Sequence, residues 1–184
     1  MKKIISFAIT IFVAILLLLL VPSHKNTNTL VAYFSATGNT RAVAERLASA
    51  IGAELFEITP EQIYTADDLD YRNKESRASV EMANRESRPT VATNVKDMAQ
   101  YKTVFLGFPI WWGREPSIVD TFIESYDFTD KTIVPFATSG STPTTIEAAA
   151  DIRTLAPNAN VLDGARFPVD VSSSDLKKWA NEQF

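Results

Sequence analysis

The sequence predicts an α/β fold in which helices cover both faces of a parallel β-sheet, giving a three-layer αβα sandwich. Short apolar runs at 30–34, 103–108 and 132–137 alternate along the chain with segments of helical periodicity. Strands that are apolar at nearly every position are typical of a parallel sheet buried on both faces. The chain is also long enough to enclose a core of this kind.

The other elements follow from apolar spacing and from residues that start or stop a helix. Val43, Leu47 and Ile51 recur at helical spacing, and Gly52 then supplies a stop. Pro116 suits a first helical turn. The remaining predicted elements are strands at 54–58 and 161–162 and helices at 73–86, 118–126, 146–155 and 176–180.

The loop after the first strand has the composition of a phosphate site. It lies between an apolar strand and a helix, where unpaired N–H groups and a partial positive charge stabilise an anion. Gly38 allows the backbone to approach a ligand closely. The side chains that would complete the phosphate shell are Ser35, Thr37, Asn39 and Thr40.

Two common nucleotide motifs are absent from the sequence. No lysine stands where G-x-x-x-x-G-K-[ST] requires one, and no glycines have the spacing of G-x-G-x-x-G. A triphosphate cradle and a Rossmann dinucleotide site are therefore disfavoured. The residues of the first loop also serve as ordinary turn formers and helix N-caps, so this loop alone leaves a purely structural role open.

Two further strands end in loops that suit the rest of a ligand. Adjacent indoles after the third strand suit a flat aromatic group, and a small polar loop follows the fourth strand. Because the carboxyl ends of parallel strands share one edge, the three loops are expected to form one site. The residues concerned are Pro109, Trp111, Trp112, Gly113, Thr138, Ser139, Gly140 and Ser141.

With these loops in place, residues 28–184 resemble the flavodoxins, which are FMN-binding electron carriers, and most closely a flavodoxin-like family with a P-I-W-W-G loop. The resemblance rests on residues 35–40, 88–89, 107–113 and 138–141. It implies a flavodoxin-like sandwich with a five-stranded parallel sheet of order 2-1-3-4-5. It also implies that FMN places its phosphate on the first loop, its isoalloxazine ring against the tryptophans and a ring edge near the third loop.

The resemblance leaves one face of the flavin unassigned. Flavodoxins commonly sandwich the ring between aromatic side chains of two loops, whereas residues 138–142 contain none. That face is either bare or covered by another segment. We expect the long connection from 60 to 101 to cover the sheet edge, with a lid over the flavin as the alternative.

Three functions are compatible with such a site. The main prediction is an electron carrier that works with a redox partner protein or a small-molecule electron acceptor. The first alternative is an FMN-dependent NAD(P)H:quinone-type oxidoreductase, which shares the fold and needs no separate nicotinamide motif. The second is a non-catalytic flavin-binding module of a membrane redox complex. No catalytic residue or metal ligand is predicted.

Residues 1–27 have the composition of a signal peptide or a single transmembrane anchor. Residues 4–21 form an apolar run of 18 residues behind Lys2 and Lys3, which is the threshold for spanning a core of about 30 Å. Because no A-x-A motif follows the run, we favour an anchor. The lysines favour an extracytoplasmic domain, membrane-anchored or secreted, and a domain that faces the cytoplasm is the alternative.

The domain that follows is acidic. Residues 28–184 contain 15 of the 18 Lys and Arg and all 22 Asp and Glu, which gives a formal charge of −7. This charge disfavours nucleic acid as a partner and could steer a basic redox protein, although solubility is the simpler explanation. Membrane contact is expected only through the N-terminal segment.

Overall fold

A parallel β-sheet forms the centre of the molecule. The computed structural model describes residues 26–141 and 144–184, so residues 1–25 of the predicted leader lie outside them, whereas residues 26 and 27 belong to the first strand. The strands are β1 Asn26–Tyr33, β2 Ala53–Glu57, β3 Thr103–Pro109, β4 Thr132–Thr138, β5 Asn160–Val161 and β6 Ala165–Phe167. The sheet order is β2-β1-β3-β4-β5, which confirms the predicted order, and β6 also pairs with β4.

The fifth position of the sheet was predicted to hold one strand, but the structure has two segments there. It is divided, because β5 pairs with the start of β4 and β6 pairs with residues 136–138 near its end. Gly164 lies between the two segments with a φ of 71°, and a Cβ there would lie 2.0 Å from the carbonyl oxygen of Pro135. Only glycine permits this close approach, so the chain turns beside β4 instead of forming one continuous strand.

Helices cover both faces of the sheet, as predicted. They are α1 Asn39–Ile51, α2 Arg77–Ala83, α3 Ser117–Glu124, α4 Ile146–Leu155 and α5 Ser173–Asn181, with a 3₁₀ turn at Met98–Gln100. Buried side chains of α1 and α5, including Leu47 and Leu176, pack on one face. Those of α3 and α4, including Phe122 and Ile152, pack on the other. Among the residues that the structure describes, no helix combines the length and apolar character needed to cross a bilayer.

Helix α2 is shorter than the predicted helix over 73–86. It begins after Ser76, whose hydroxyl accepts a hydrogen bond from the backbone N–H of Ser79 at 3.3 Å. It ends at Ala83, because Asn84 has an extended backbone. A serine cap therefore sets the start of the helix more strongly than the surrounding helical periodicity does.

Gly107 of β3 provides a test of the sheet packing. A Cβ at this position would lie 2.2 Å from Cζ of the buried Phe136 ring on β4. We expect Gly107→Ala to lower the free energy of unfolding by about 1–3 kcal/mol, because the ring has to move within a close-packed core. Chemical unfolding of the two proteins measures this difference. Gly140→Ala is the control, since a Cβ there meets no described atom within 4 Å. A Gly107→Ala variant with the free energy of unfolding of the wild type would contradict the packing.

Candidate functional site

The three predicted loops lie together at the carboxyl edge of the sheet. The hydroxyl oxygens of Thr40 and Thr138 are 2.9 Å apart, which joins the first loop to the third. The backbone N–H of Ile110 donates to the carbonyl of Thr138 at 3.0 Å, which joins the second loop to the third. A cavity of about 480 Å³ lies between them, within the range typical of small-molecule sites.

The cavity is lined by all three loops and by part of the long connection between β2 and β3. Its lining is mostly apolar, with a few polar groups at the first and third loops. The lining residues are Ala36, Thr37, Leu69, Tyr71, Ala78, Pro109, Ile110, Trp111, Trp112 and Ser141. The predicted loops therefore form one concave site. The connection forms one wall of this site, a role that the sequence analysis left open.

The first loop leads directly into helix α1, which begins at Asn39. Gly38 precedes the helix with a φ of 90°, and its N–H donates to the Ser35 hydroxyl at 3.1 Å. Among the described residues no side chain caps this helix, and its first turn contains no acidic residue. The N–H groups at the start of α1 are therefore available to an anion.

Thr40 lies in the first turn of α1 and is buried, with only 1% of its surface exposed. Its hydroxyl contacts the Thr138 hydroxyl, whereas Thr37, Gly38 and Asn39 are exposed at the loop surface. The six-residue loop therefore contains two environments. One hydroxyl links the loops internally, and residues 37–39 face outward.

The two adjacent tryptophans occupy different environments. Trp111 packs edge-on against Phe34 and Tyr64, with ring centroids 5.6 and 5.4 Å apart. Trp112 is 54% exposed, and its φ of 49° is rare for a residue other than glycine. Trp111 is thus fixed in the protein, while Trp112 offers an open indole at the cavity.

A tight turn orients these indoles. Trp111 and Arg114 exchange two backbone hydrogen bonds of 2.9 and 3.1 Å across Trp112 and Gly113. Both central residues have positive φ, and the value of 90° at Gly113 favours glycine there. We call residues 111–114 the tryptophan turn.

The third loop is held by a residue that the sequence analysis did not select. Arg166 of β6 donates from Nε and Nη2 to the carbonyl oxygen of Ser139, at 3.2 and 2.6 Å. The N–H of Ser141 donates to the Ser139 hydroxyl at 3.2 Å, while Gly140 and Ser141 are exposed. No local signal in the sequence links Arg166 to this loop, because the contact depends on the divided fifth strand.

The long connection reaches the cavity through two tyrosines. Tyr71 lines the cavity with 69% of its surface exposed. Tyr64 is buried against Trp111, and burial followed by its hydrogen bond to Glu81 raises the pKa of Tyr64 far above its ordinary value. Arg77 of α2 lies over the Tyr64 ring at 4.0 Å. The connection therefore both supports a tryptophan and borders the cavity.

A charged cluster is buried directly behind the tryptophan turn. The Arg114 guanidinium donates to Glu115, Asp120 and the Ser117 hydroxyl at distances of 3.0–3.2 Å. All four residues are at most 5% exposed. Burial and the nearby Asp120 raise the pKa of Glu115 to about 9. Sequence reasoning did not select Glu115 or Asp120, because a charged residue after a loop is ordinarily solvated.

A parallel sheet of this order with a ligand cavity at its carboxyl edge defines an α/β protein of the flavodoxin type. A family model described as Flavodoxin matches residues 28–183, and the chain belongs to that family. The family predicted from the loops, and FMN as its cofactor, are thereby confirmed.

Solved structures agree with this assignment. The chain is similar to a candidate flavoprotein from Bacteroides eggerthii DSM 20697, with 40% identity and a TM-score of 0.80 over 86% of this chain and 98% of that one. A candidate flavoprotein from Bacteroides uniformis ATCC 8492 shares 44% identity, with a TM-score of 0.79 over 85% of this chain and 99% of that one.

A flavoprotein from Lactobacillus acidophilus NCFM, solved in complex with FMN, shares the fold at 24% identity. Its TM-score is 0.63, and the match covers 84% of this chain and 99% of that one. No protein with a curated description matches the chain.

Proposed function

We propose that the chain is an FMN-dependent electron carrier, with the FMN phosphate bound at residues 35–40 and the isoalloxazine ring against Trp112. The observation that carries this proposal is a cavity that joins the loop before α1 to an exposed indole. FMN, when bound, supplies the group that accepts and releases electrons. The protein holds this group, limits its contact with water and sets the charge around it.

The position proposed for the FMN phosphate rests on the hydrogen-bonding groups of the first loop. The open N–H groups of α1 suit an anion, and the hydroxyls of Ser35 and Thr37 lie on the same loop. If the Thr138 hydroxyl donates to Thr40, the Thr40 hydroxyl keeps its own proton for an acceptor. Asn39 adds an exposed amide. These groups can hold a phosphate monoester without a lysine.

The position proposed for the isoalloxazine ring rests on the apolar lining of the cavity. Trp112 supplies an exposed indole, and Pro109 and Gly113 shape the loop around it. We assign the opposite face of the ring to Tyr71, since it lines the same cavity from the long connection. The third loop, with Ser139, Gly140 and Ser141 beside Thr138, would then contact the polar edge of the ring.

The net negative charge of the domain favours a low reduction potential. Residues 28–184 carry a formal charge of −7, and added negative charge on a poorly solvated ring is costly in such surroundings. Arg114 would oppose this effect if its charge were free. Its guanidinium is compensated by Asp120 and contacts Glu115 within the cluster, so its influence on the ring is reduced.

An electron carrier and an oxidoreductase differ in their electron donor, since only the oxidoreductase accepts electrons directly from NADH or NADPH. With FMN-loaded protein under anaerobic conditions, we expect the visible flavin absorbance to persist in excess NADH or NADPH. It should bleach on addition of dithionite or of an NADPH-dependent flavoprotein reductase, and recover on addition of a basic haem protein. Rapid bleaching by NADH or NADPH alone would contradict the carrier and support the oxidoreductase.

One observation favours that oxidoreductase as the second candidate. Tyr71 is 69% exposed and lies on the long connection, so a nicotinamide could replace it on the ring. In that case Tyr71→Ala should speed reduction by NADH or NADPH. A carrier should remain unreactive towards both nucleotides in the same variant.

We also propose that residues 1–27 attach the domain to a membrane, with the flavin site outside the cytoplasm. The apolar run and the flanking lysines support this arrangement. The acidic domain suits a basic redox partner. Protease treatment of intact cells tests the orientation, since an extracytoplasmic domain is cleaved and a cytoplasmic one is protected.

A further inference from the structure

Glu115 and Asp120 have no part in the proposed FMN contacts, yet they are among the most buried charged residues of the described chain. Glu115 is 0% exposed and Asp120 is 3% exposed. Glu115 Oε1 and Asp120 Oδ2 accept hydrogen bonds from Arg114 Nη1, at 3.2 and 3.0 Å. Among the described residues, Glu115 Oε2 and Asp120 Oδ1 have no donor. Leaving two carboxylate oxygens buried and unpaired is strongly unfavourable.

The surrounding cations do not supply the missing donors. Arg88 lies 3.8 Å from Asp120, but its Nε and Nη2 atoms both bond to Glu124 at 2.7 Å. Arg85 is paired with Asp151. Arg114 is thus the one cation of this cluster that contacts both carboxyl groups. The charged groups that face Glu115 and Asp120 are Arg85, Arg88, Arg114 and Asp151.

The two carboxyl groups meet at one donor atom, since Glu115 Oε1 and Asp120 Oδ2 both accept from Arg114 Nη1. Burial, followed by the charge of Asp120, raises the pKa of Glu115 to about 9. Burial also raises the pKa of Asp120, while hydrogen bonds from Glu115 and Arg114 oppose that rise. Two adjacent buried carboxyl groups cannot both ionise cheaply, so one of them retains a proton at neutral pH.

We propose that Glu115 and Asp120 share one proton between Glu115 Oε2 and Asp120 Oδ1, and that this proton fixes Arg114 and thereby the tryptophan turn. The link is structural, because the backbone of Arg114 closes the turn through its two hydrogen bonds with Trp111. Glu115 and Asp120 are therefore positioning residues that act on FMN through Arg114. Only this last link, to FMN, rests on the proposed function.

Loss of the shared proton would leave two buried negative charges beside one guanidinium. The unfolded chain releases the Glu115 proton around its ordinary pKa of 4.5, whereas the folded chain holds it to about pH 9. The stability that this proton supplies is therefore complete below about pH 4.5 and is lost as the pH rises to about 9. The tryptophan turn should loosen at the alkaline end of this range.

The shared proton is tested on the full-length chain without FMN. Infrared difference spectra between neutral and alkaline pH should show the carbonyl stretch of a protonated carboxylic acid, lost with a midpoint near pH 9. The band should be absent in Glu115→Gln, which mimics the protonated acid permanently. Asp120→Asn is a second variant in which the alkaline titration should also disappear. A wild-type spectrum without this band would overturn the shared proton, whether or not the variants fold.

The link to the cofactor site is tested by FMN affinity across the same pH range. We expect the affinity of the wild type to fall about tenfold between about pH 8 and 10 and that of Glu115→Gln to stay constant. Glu86→Gln, at an exposed carboxylate, should keep the wild-type profile. Identical profiles for wild type and Glu115→Gln would overturn the link. If the chain bound no FMN at any pH, the proposed function would fail, while the infrared band would still decide the shared proton.

Discussion

Combined replacement of Ser35 by Ala and of Thr37 by Val should weaken FMN binding by about 10²- to 10⁴-fold. The expected loss is two hydrogen bonds to a charged phosphate, each contributing about 1.5–3 kcal/mol, and each 1.4 kcal/mol changes the dissociation constant about tenfold. Thr40 is left unchanged because its buried hydroxyl also contacts Thr138. Quenching of flavin fluorescence on titration measures the affinity.

Riboflavin provides the control for this experiment, because it carries the same ring without the phosphate. Its affinity should be the same for the wild type and for the double variant. Thr90→Val, at an exposed threonine outside the cavity, should bind both ligands as the wild type does. An equal loss of affinity for FMN and riboflavin would show that the substitutions disturb the fold and not a phosphate site.

The second large effect is expected from replacing the two tryptophans, one of which should alter FMN affinity and the other stability. Trp112→Ala should raise the dissociation constant of FMN by about 10- to 100-fold, since stacking of a heterocycle on an aromatic side chain contributes about 1–3 kcal/mol. The free energy of unfolding without FMN should change little, because Trp112 is 54% exposed. The opposite is expected for Trp111→Ala. Its contacts with Phe34 and Tyr64 are lost, so the free energy of unfolding should fall by about 3 kcal/mol.

Thermal unfolding of both apoproteins, followed by FMN titration, measures these two effects separately. Trp112→Phe is the matched control, since it keeps an aromatic face and should retain most of the affinity. Loss of stability in Trp112→Ala with unchanged FMN affinity would reverse the assignment of the two indoles.

The fold was largely predictable because its signals are local and redundant. The apolar runs at 103–108 and 132–137 correspond to β3 and β4 within one residue, since central parallel strands are apolar at nearly every position. The fifth position was predicted less well. Its division depends on Gly164 fitting beside the Pro135 carbonyl, which is a contact between distant residues. A two-residue strand also carries too little periodicity to be recognised.

The site was predictable where chemistry is concentrated in a short loop. Both loops border the cavity, the first through residues 36–37 and the second through residues 109–112. Tyr71 was missed because a tyrosine among charged residues resembles a solvated surface. The contact between Thr40 and Thr138 joins residues 98 positions apart, so no spacing rule indicates it. The carboxyl pair of Glu115 and Asp120 depends on burial, which the sequence around it conceals.

The most direct test of the central claim is an equilibrium titration of FMN into the purified full-length chain. If the start of α1 binds the phosphate and Trp112 stacks on the ring, one FMN should bind per chain. The flavin fluorescence should be strongly quenched, and the visible spectrum should be altered. A chain that stays colourless and leaves the fluorescence unchanged at saturating FMN would contradict the proposed site.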